Sequence, residues 1–307
     1  MSPALEVHHL AKTYGAFTAV HDISFTVERG EVMCLLGPNG AGKTTTTEIL
    51  EGYRDRTSGD VRVLGFDPGR HERGLRERIG IVLQECGVQD DLTVGEVLDM
   101  YGSYAPRRLA TADVIRLVEL DAKADDRVRH LSGGQRRRLD VGLAIVGDPE
   151  VIFLDEPTTG FDPAARRASW SMIRALAGLG KTVLLTTHFM DEAQALADRI
   201  AVVAGGRIIA EGTPETLGGR DRQHTVVETT LPDHVERHQL PDFGAAAVEL
   251  RDRTLRIEAA DGVRATHTLT GWALSAGITL GRLNVSQPSL EDIYLTLTTT
   301  NTKEHAR

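Results

Sequence analysis

No apolar stretch of this 307-residue chain approaches the roughly 18 uncharged residues that a membrane-spanning helix needs. The N-terminus also has no apolar core behind a basic segment, so neither a membrane span nor a secretory leader is expected. Basic charge is scarce: the net charge is -9, and Arg136-Arg137-Arg138 is the only tight basic cluster. Sequence-independent nucleic-acid binding depends on neutralising phosphates, so an acidic chain is a poor candidate for it, and no nucleic-acid partner is expected. The arginine cluster reads as a solvated helix face. Cysteine is nearly missing. Cys34 lies inside an apolar run and Cys86 just after another, which fits a reducing compartment and reads as small hydrophobes rather than a disulfide or metal pair. His234 and His238 have the i,i+4 spacing of a metal pair on a helix, but no third ligand is evident and the adjacent charges suggest a solvated face.

What the chain has is enough length for a large core and more than one unit, with 41% hydrophobic and 26% charged residues. The rest of it is organised around Gly37-Pro38-Asn39-Gly40-Ala41-Gly42-Lys43-Thr44, set between an apolar run (Val32 to Leu36) and a segment able to continue as a helix (Thr44 to Leu50). This is the G-x-x-x-x-G-K-[ST] phosphate loop in strand, loop, helix context. Glycines let the backbone curl until successive N–H groups point inward, and the helix that follows adds the positive end of its dipole. Lys43 then reaches the β and γ phosphates as a point charge, and the Thr44 hydroxyl is placed to ligate Mg²⁺.

Upstream, Leu5 to Leu10 and Phe17 to Val27 alternate polar and apolar positions and suggest an antiparallel pair. Tyr14, on the loop between them, either packs or stacks on an adenine ring. Downstream, Gly59 to Gly65 and Ile79 to Leu83 read as strands, the second ending on Gln84. Apolar runs at Val151 to Leu154 and Thr182 to Leu185 end on Asp155-Glu156 and reach His188. A parallel α/β sheet binds ligands at the carboxyl ends of its strands, so Lys43, Gln84, Asp155, Glu156 and His188 are expected along one edge. From about 91 to 148 the pattern turns helical, with helices expected at Val94 to Tyr104, Thr111 to Leu120 and Gly134 to Val146. Within it, Leu131-Ser132-Gly133-Gly134-Gln135 offers Ser132 as an N-cap and exposes backbone N–H groups. It is either a second phosphate site or an ordinary capped turn.

With these motifs in this order, the chain over roughly residues 5 to 215 resembles the nucleotide-binding subunit of ATP-binding-cassette (ABC) transporters. The resemblance implies an α/β P-loop NTPase with a RecA-like core, an N-terminal antiparallel β subdomain and a helical insertion, the ATPase domain running over 1–219. It implies ATP and Mg²⁺ as ligands. Tyr14 would stack adenine, Gly37 to Thr45 would hold phosphates through Lys43, Thr44 and Thr45, and Thr44 and Gln84 would ligate the metal, with Asp155 orienting a metal-bound water. Glu156 would be the general base and His188 the γ-phosphate sensor. Asp162 matches the loop that crosses the dimer interface, with Phe161 where the family usually has Leu. The family pairs two cassettes head to tail, so that Ser132, Gly133, Gly134 and Gln135 of one subunit meet the nucleotide on Lys43 of the other. A second copy of the chain and a separately encoded membrane permease are the implied partners, and the cytoplasmic face of the membrane, held peripherally, is the implied location.

Residues 220–307 are expected to form a small α+β domain. Val248 to Leu250 and Leu255 to Glu258 flank the polar turn Arg251-Asp252-Arg253, an amphipathic stretch spans Val263 to Ala276, and Ile278 to Val285 is strand-like, giving a β-β-α-β order. Gln287-Pro288-Ser289-Leu290-Glu291-Asp292 starts a helix with Ser289 as N-cap, an ending similar to drug-export cassettes of the daunorubicin-resistance type. The expected function is therefore the ATPase of an exporter, for drug efflux first and for lipid or polysaccharide as the alternative. A soluble cassette acting on DNA or ribosomes would carry a long coiled coil or a second cassette, and this chain has neither. A switch without turnover conflicts with the base at Glu156.

Overall fold

The alternating N-terminal segments form a hairpin. In the computed structural model, which describes residues 2–82, 89–222, 225–286 and 290–294, β1 (Leu5–Tyr14) pairs antiparallel with β2 (Phe17–Val27), from Leu5 opposite Val27 to Tyr14 opposite Phe17. Pairing continues up to the turn at Gly15-Ala16, so Tyr14 is the last residue of a strand and not a loop residue. Leu5 and Val7 point into the core as the alternation requires, and an irregularity at His9 (φ 51°) returns Leu10 to the same face. The run Val32–Leu36 is β3, buried at every position, and it feeds the glycine loop and α1 (Lys43–Glu51). Next come β4 (Ser58–Val63), which returns to pair antiparallel with β1, the short α2 (Arg73–Arg76), and β5 (Ile79–Val82).

The helical insertion holds α3 (Val94–Gly102), α4 (Thr111–Leu117) and α5 (Gly133–Ile145). The first two stop short of their expected ends: Gly102 closes α3, and Glu119 takes a left-handed φ of 53° that a helix cannot continue through. The three pack closely where Gly142 of α5 leaves room for Leu98, Val114 and Val118; a Cβ there would lie 3.3 Å from Leu98. The chain then alternates through β6 (Val151–Asp155), α6 (Pro163–Gly178), β7 (Thr182–Thr187), α7 (Met190–Leu196), β8 (Arg199–Ala204) and β9 (Arg207–Gly212). The last two helices and last two strands were not anticipated from the pattern.

Among the described residues one nine-stranded sheet runs in the order β4-β1-β2-β9-β8-β3-β7-β6-β5. Strands β5, β6, β7, β3 and β8 are parallel, and the antiparallel part joins them through β9 at Asp22 opposite Arg207. Its core includes Leu5, Ile23, Met33, Leu35 and Phe153, all fully buried, each side chain contributing on the order of 1.5–3 kcal/mol by leaving water. The parallel arrangement sends the carboxyl ends of β3, β5, β6 and β7 to the same edge.

The chain divides into two compact units, Met1–Pro214 and Glu215–Arg307. In the second, β10 (Thr225–Thr230), β11 (Ala247–Arg251), β12 (Thr254–Ala259), α8 (Gly262–Ser275) and β13 (Asn284–Ser286) form a sheet of order β11-β12-β10-β13 with its own core on Val227, Leu255, Ile257 and Leu269. The expected β-β-α-β order therefore lacked the central strand β10. The final strand is also shorter than Ile278 to Val285, because Gly277 (φ 66°) turns the chain out of α8 and residues 278–283 are irregular. Asp252 and Arg253 both take positive φ, the geometry of a tight hairpin. Ser289 lies outside the described residues; Leu290 and Ile293, in a helical segment just beyond it, are buried. No helix among the described residues is long and apolar enough to cross a membrane.

Candidate functional site

The glycine loop is shaped by sterics before any charge enters. A Cβ at Gly37 would sit 2.2 Å from the Val203 carbonyl, and Gly42, which N-caps α1 at φ 98°, would carry one 2.6 Å from the Ala19 carbonyl. Neither position admits a side chain. Gly42 gives α1 no side-chain cap, unlike α3, α5 and α6, so the positive end of this helix faces the loop without a carboxylate or hydroxyl of its own. Lys43 is 4% exposed, and its ammonium donates to the carbonyls of Gly37 (2.8 Å) and Pro38 (3.1 Å). Burial lowers its pKa, with Glu156 and Asp155 pulling the other way.

Asp155 and Glu156 leave β6 at the same edge. The Thr44 hydroxyl donates to Asp155 Oδ2 (3.1 Å), and Thr186 of β7 donates to Asp155 Oδ1. Glu156 has a left-handed φ of 46°, a conformation that costs a non-glycine residue about 1–3 kcal/mol and concentrates at functional positions. Its amide donates to the Thr186 carbonyl (3.1 Å) and its Oε2 accepts from Thr159 (3.1 Å). Its Oε1 stands 3.6 Å from Lys43 Nζ and 3.3 Å from His188 Nδ1, the latter without an aligned hydrogen bond. A hydroxyl beside a carboxylate is a suitable donor set for a hard divalent cation, so Thr44 and Asp155 fit a metal next to the phosphate loop.

A cleft of about 510 Å³ opens over the loop, bordered by Tyr14, Phe17, Asn39, Thr45, Arg54 and Glu156. Lys12 Nζ and Arg54 lie 5.0 and 5.3 Å from the Tyr14 ring centre, so cations already attend that ring. Phe17 and Arg54 were not singled out from sequence; an aromatic directly opposite Tyr14 across the hairpin was the available signal.

Ser132 caps α5 as expected, with Gln135 completing the box: Gln135 N donates to Ser132 Oγ (3.3 Å) and Ser132 N to Gln135 Oε1 (2.9 Å). Asp162 caps α6 through Ala164 N and Ala165 N. Ser132, Gly134, Gln135 and Asp162 border a second cleft of about 450 Å³ that shares no lining residue with the first. Within one chain the named residues thus fall into two groups. Gly133 and Gly134 are notable there, because a Cβ at either would meet nothing within 4 Å. Gln84 and Cys86 lie outside the described residues, while Cys34 is buried in β3, where burial raises its thiol pKa well above the ordinary value. Residues 234–238 are not α-helical, so His234 and His238 do not share a helix face, and no cluster of three metal-binding side chains occurs among the described residues.

A profile of the family described as ABC transporter matches residues 20–159, and one described as an ABC transporter domain-containing protein-like C-terminal domain matches residues 225–289. The Nod factor export ATP-binding protein I of Ralstonia nicotianae is 39% identical over 97% of this chain and 94% of its own length. The chain belongs to the ABC transporter ATP-binding family. Its members are ATPases coupled to transport. The corresponding Nod factor export protein of Rhizobium johnstonii is 38% identical over 97% of this chain and 96% of its own. Among solved structures, cbiO1 of Clostridium perfringens, part of the ABC transporter complex cbiONQ, aligns with a TM-score of 0.63 and 27% identity over 70% of this cassette chain and 90% of its own. A dimeric post-hydrolysis cassette, MJ0796 bound to ADP and Pi, shares the fold with a TM-score of 0.61 and 23% identity over 68% and 98%.

Proposed function

We propose that this cassette hydrolyses ATP in the cleft over Lys43, works as a pair of identical subunits, and drives export through a separate membrane permease from the cytoplasmic face. The observation that carries the reading is Glu156 Oε1, set between Lys43 Nζ (3.6 Å) and His188 Nδ1 (3.3 Å) at the mouth of the glycine loop. A carboxylate there is within reach of a water lined up on a terminal phosphate, and it can take that water's proton. Tyr14 offers its face to the adenine. The N–H groups of Gly40 to Thr45 and the Lys43 ammonium bind the phosphates, Lys43 exchanging its carbonyl partners for phosphate oxygens. Thr44, Asp155 and Gln84 hold Mg²⁺, which when bound neutralises charge on the phosphates. His188 orients the terminal phosphate against Glu156.

The second cleft completes the site from the other copy. A glycine inside a helix costs roughly 0.5–1 kcal/mol relative to alanine, and nothing in this chain crowds Gly133 or Gly134 at the start of α5. Close approach by a phosphate bound to the second subunit accounts for both, with Ser132 and Gln135 beside it and Asp162 at the interface. A further groove of about 560 Å³, bordered by Tyr53, Leu75, Ile79, Tyr101 and Leu143, is suited to an apolar helix of the permease. The second unit, from about residue 220, supports pairing or stability and makes no nucleotide contact.

For cargo, the names of the relatives favour export of Nod factor, and drug efflux remains the competing reading from the segment ending at Asp292. The test is phosphate release and nucleotide binding side by side. Glu156→Gln keeps shape and removes the base, so turnover is expected to fall roughly a hundredfold or more with ATP binding retained. Lys43→Ala is expected to lose binding itself. Normal turnover by Glu156→Gln would refute the assignment of the base.

A further inference from the structure

Glu192 is fully buried, and no role above uses it. It lies in α7, four residues beyond His188. Its Oε1 accepts two hydrogen bonds, from the Thr158 hydroxyl (2.8 Å) and from the Trp170 indole N–H (3.1 Å). The Thr187 hydroxyl lies beside the same carboxyl, and it also accepts from the Phe189 amide (3.0 Å). These partners come from three separate segments. Thr158 follows Glu156 by two positions, Thr187 directly precedes His188, and Trp170 is on α6, the helix that Asp162 caps.

We propose that Glu192 is a positioning residue for ATP hydrolysis: by bonding Thr158 and Trp170 from behind, beside Thr187, it holds Glu156 and His188 at the separation that the reaction needs. A purely structural need would be met more simply by apolar side chains, since burying a carboxyl costs several kcal/mol unless its partners are well placed. Two directional bonds converging on Oε1 fix that oxygen where packing alone allows drift, while Oε2 accepts none among the described residues. The front of the assembly agrees. The His188 ring packs on Phe189 at 4.1 Å between centroids, Arg166 lies 4.5 Å from the Phe189 ring centre, and Arg166 pairs with Asp191 at 3.0 Å. His188 is thus braced on one side by Phe189, whose amide donates to the Thr187 hydroxyl behind it. Burial raises the Glu192 pKa while its hydroxyl and indole donors pull the other way, and glutamine supplies the same acceptor and shape.

The inference rests on the hydrolysis reading, and two measurements separate the two. Turnover of MgATP by the unmodified protein tests the reading itself. The ¹⁵N imidazole signal of His188, recognised by its disappearance in His188→Gln, reports positioning with no nucleotide present. Glu192→Leu is expected to shift that signal and to lower kcat about tenfold or more while the KM for ATP stays within about threefold, and Glu192→Gln is expected to restore both. Thr158→Val combined with Glu192→Leu should be no worse than Glu192→Leu alone, because the two act through one bond. If Glu192→Leu does not fold, Thr158→Val and Trp170→Phe, which each remove one donor, take its place with the same expectations. A folded variant with unchanged kcat and an unmoved His188 signal overturns the proposal. So does a Glu192→Gln as impaired as Glu192→Leu, or a loss expressed only in KM.

Discussion

Oε1 of Glu156 stands 3.3 Å from Nδ1 of His188, although the two residues leave different strands, β6 and β7. Parallel pairing of those strands, with Asp155 opposite Thr186, is what brings them together. The left-handed turn at Glu156 then swings its carboxylate across toward the histidine. Under the proposed mechanism the two act on one reacting centre, so removing either should disable the other.

His188→Ala is accordingly expected to lower turnover at least about tenfold with ATP binding kept. Adding it to Glu156→Gln should cost little more. Stopped-time phosphate release on the two single variants and the double variant decides this. Losses that multiply would mean that the residues work independently, and the 3.3 Å approach would then carry no mechanistic weight.

Ser132 separates a local role from a shared one. As the cap of α5 it contributes about 1 kcal/mol, so Ser132→Ala should lower stability by that amount and leave ATP-driven pairing detectable. Ser132→Arg, which projects a bulky cation into the open space around Gly133 and Gly134, should abolish pairing while binding at Lys43 persists. Size-exclusion chromatography with MgATP, in a Glu156→Gln background to prevent turnover, reads both. Pairing that survives Ser132→Arg would remove the two-subunit site.

The parts of this fold legible in the sequence were those where side-chain chemistry and backbone pattern agree. Gly37 and Gly42 are glycines because carbonyls of Val203 and Ala19 fill the space of a Cβ, and that need is written directly in the motif. Ser132 and Gln135 formed the box that their spacing implies. What pattern could not supply was tertiary. Strand β10 has no distinctive periodicity, as its sequence Thr-Val-Val-Glu-Thr-Thr is polar at four of six positions, and only pairing with β12 and β13 makes it central. Tyr14 reads as a loop residue in the sequence because hairpin pairing right up to Gly15 is a property of register. Glu192, an acidic residue in an ordinary helical stretch, looks solvent-facing until α6 and β7 enclose it.

Glu51, at the end of α1, is 9% exposed and borders the groove with Tyr53 and Tyr101. Burial pushes its pKa up to about 8 from 4.5, with Asp155 and Glu48 adding to the rise. The folded protein therefore holds a proton that the unfolded chain has already released. Because the unfolded chain binds fewer protons between pH 4.5 and about 8, stability falls as pH rises through that window and levels off above it. Glu51→Gln has no proton to lose, so it lacks this decline. At pH 5 the variant and the unmodified protein should agree to within about 1 kcal/mol, whereas at pH 9 the variant should be more stable by about 2–4 kcal/mol. Urea unfolding at the two pH values, followed through the transition of the unit that carries Glu51, measures the difference, and titrating groups that do not interact with Glu51 cancel between the two proteins. Curves that stay parallel from pH 5 to pH 9 would mean that Glu51 is ionised and solvated in the folded state, and that the groove it borders is open to water down to its floor.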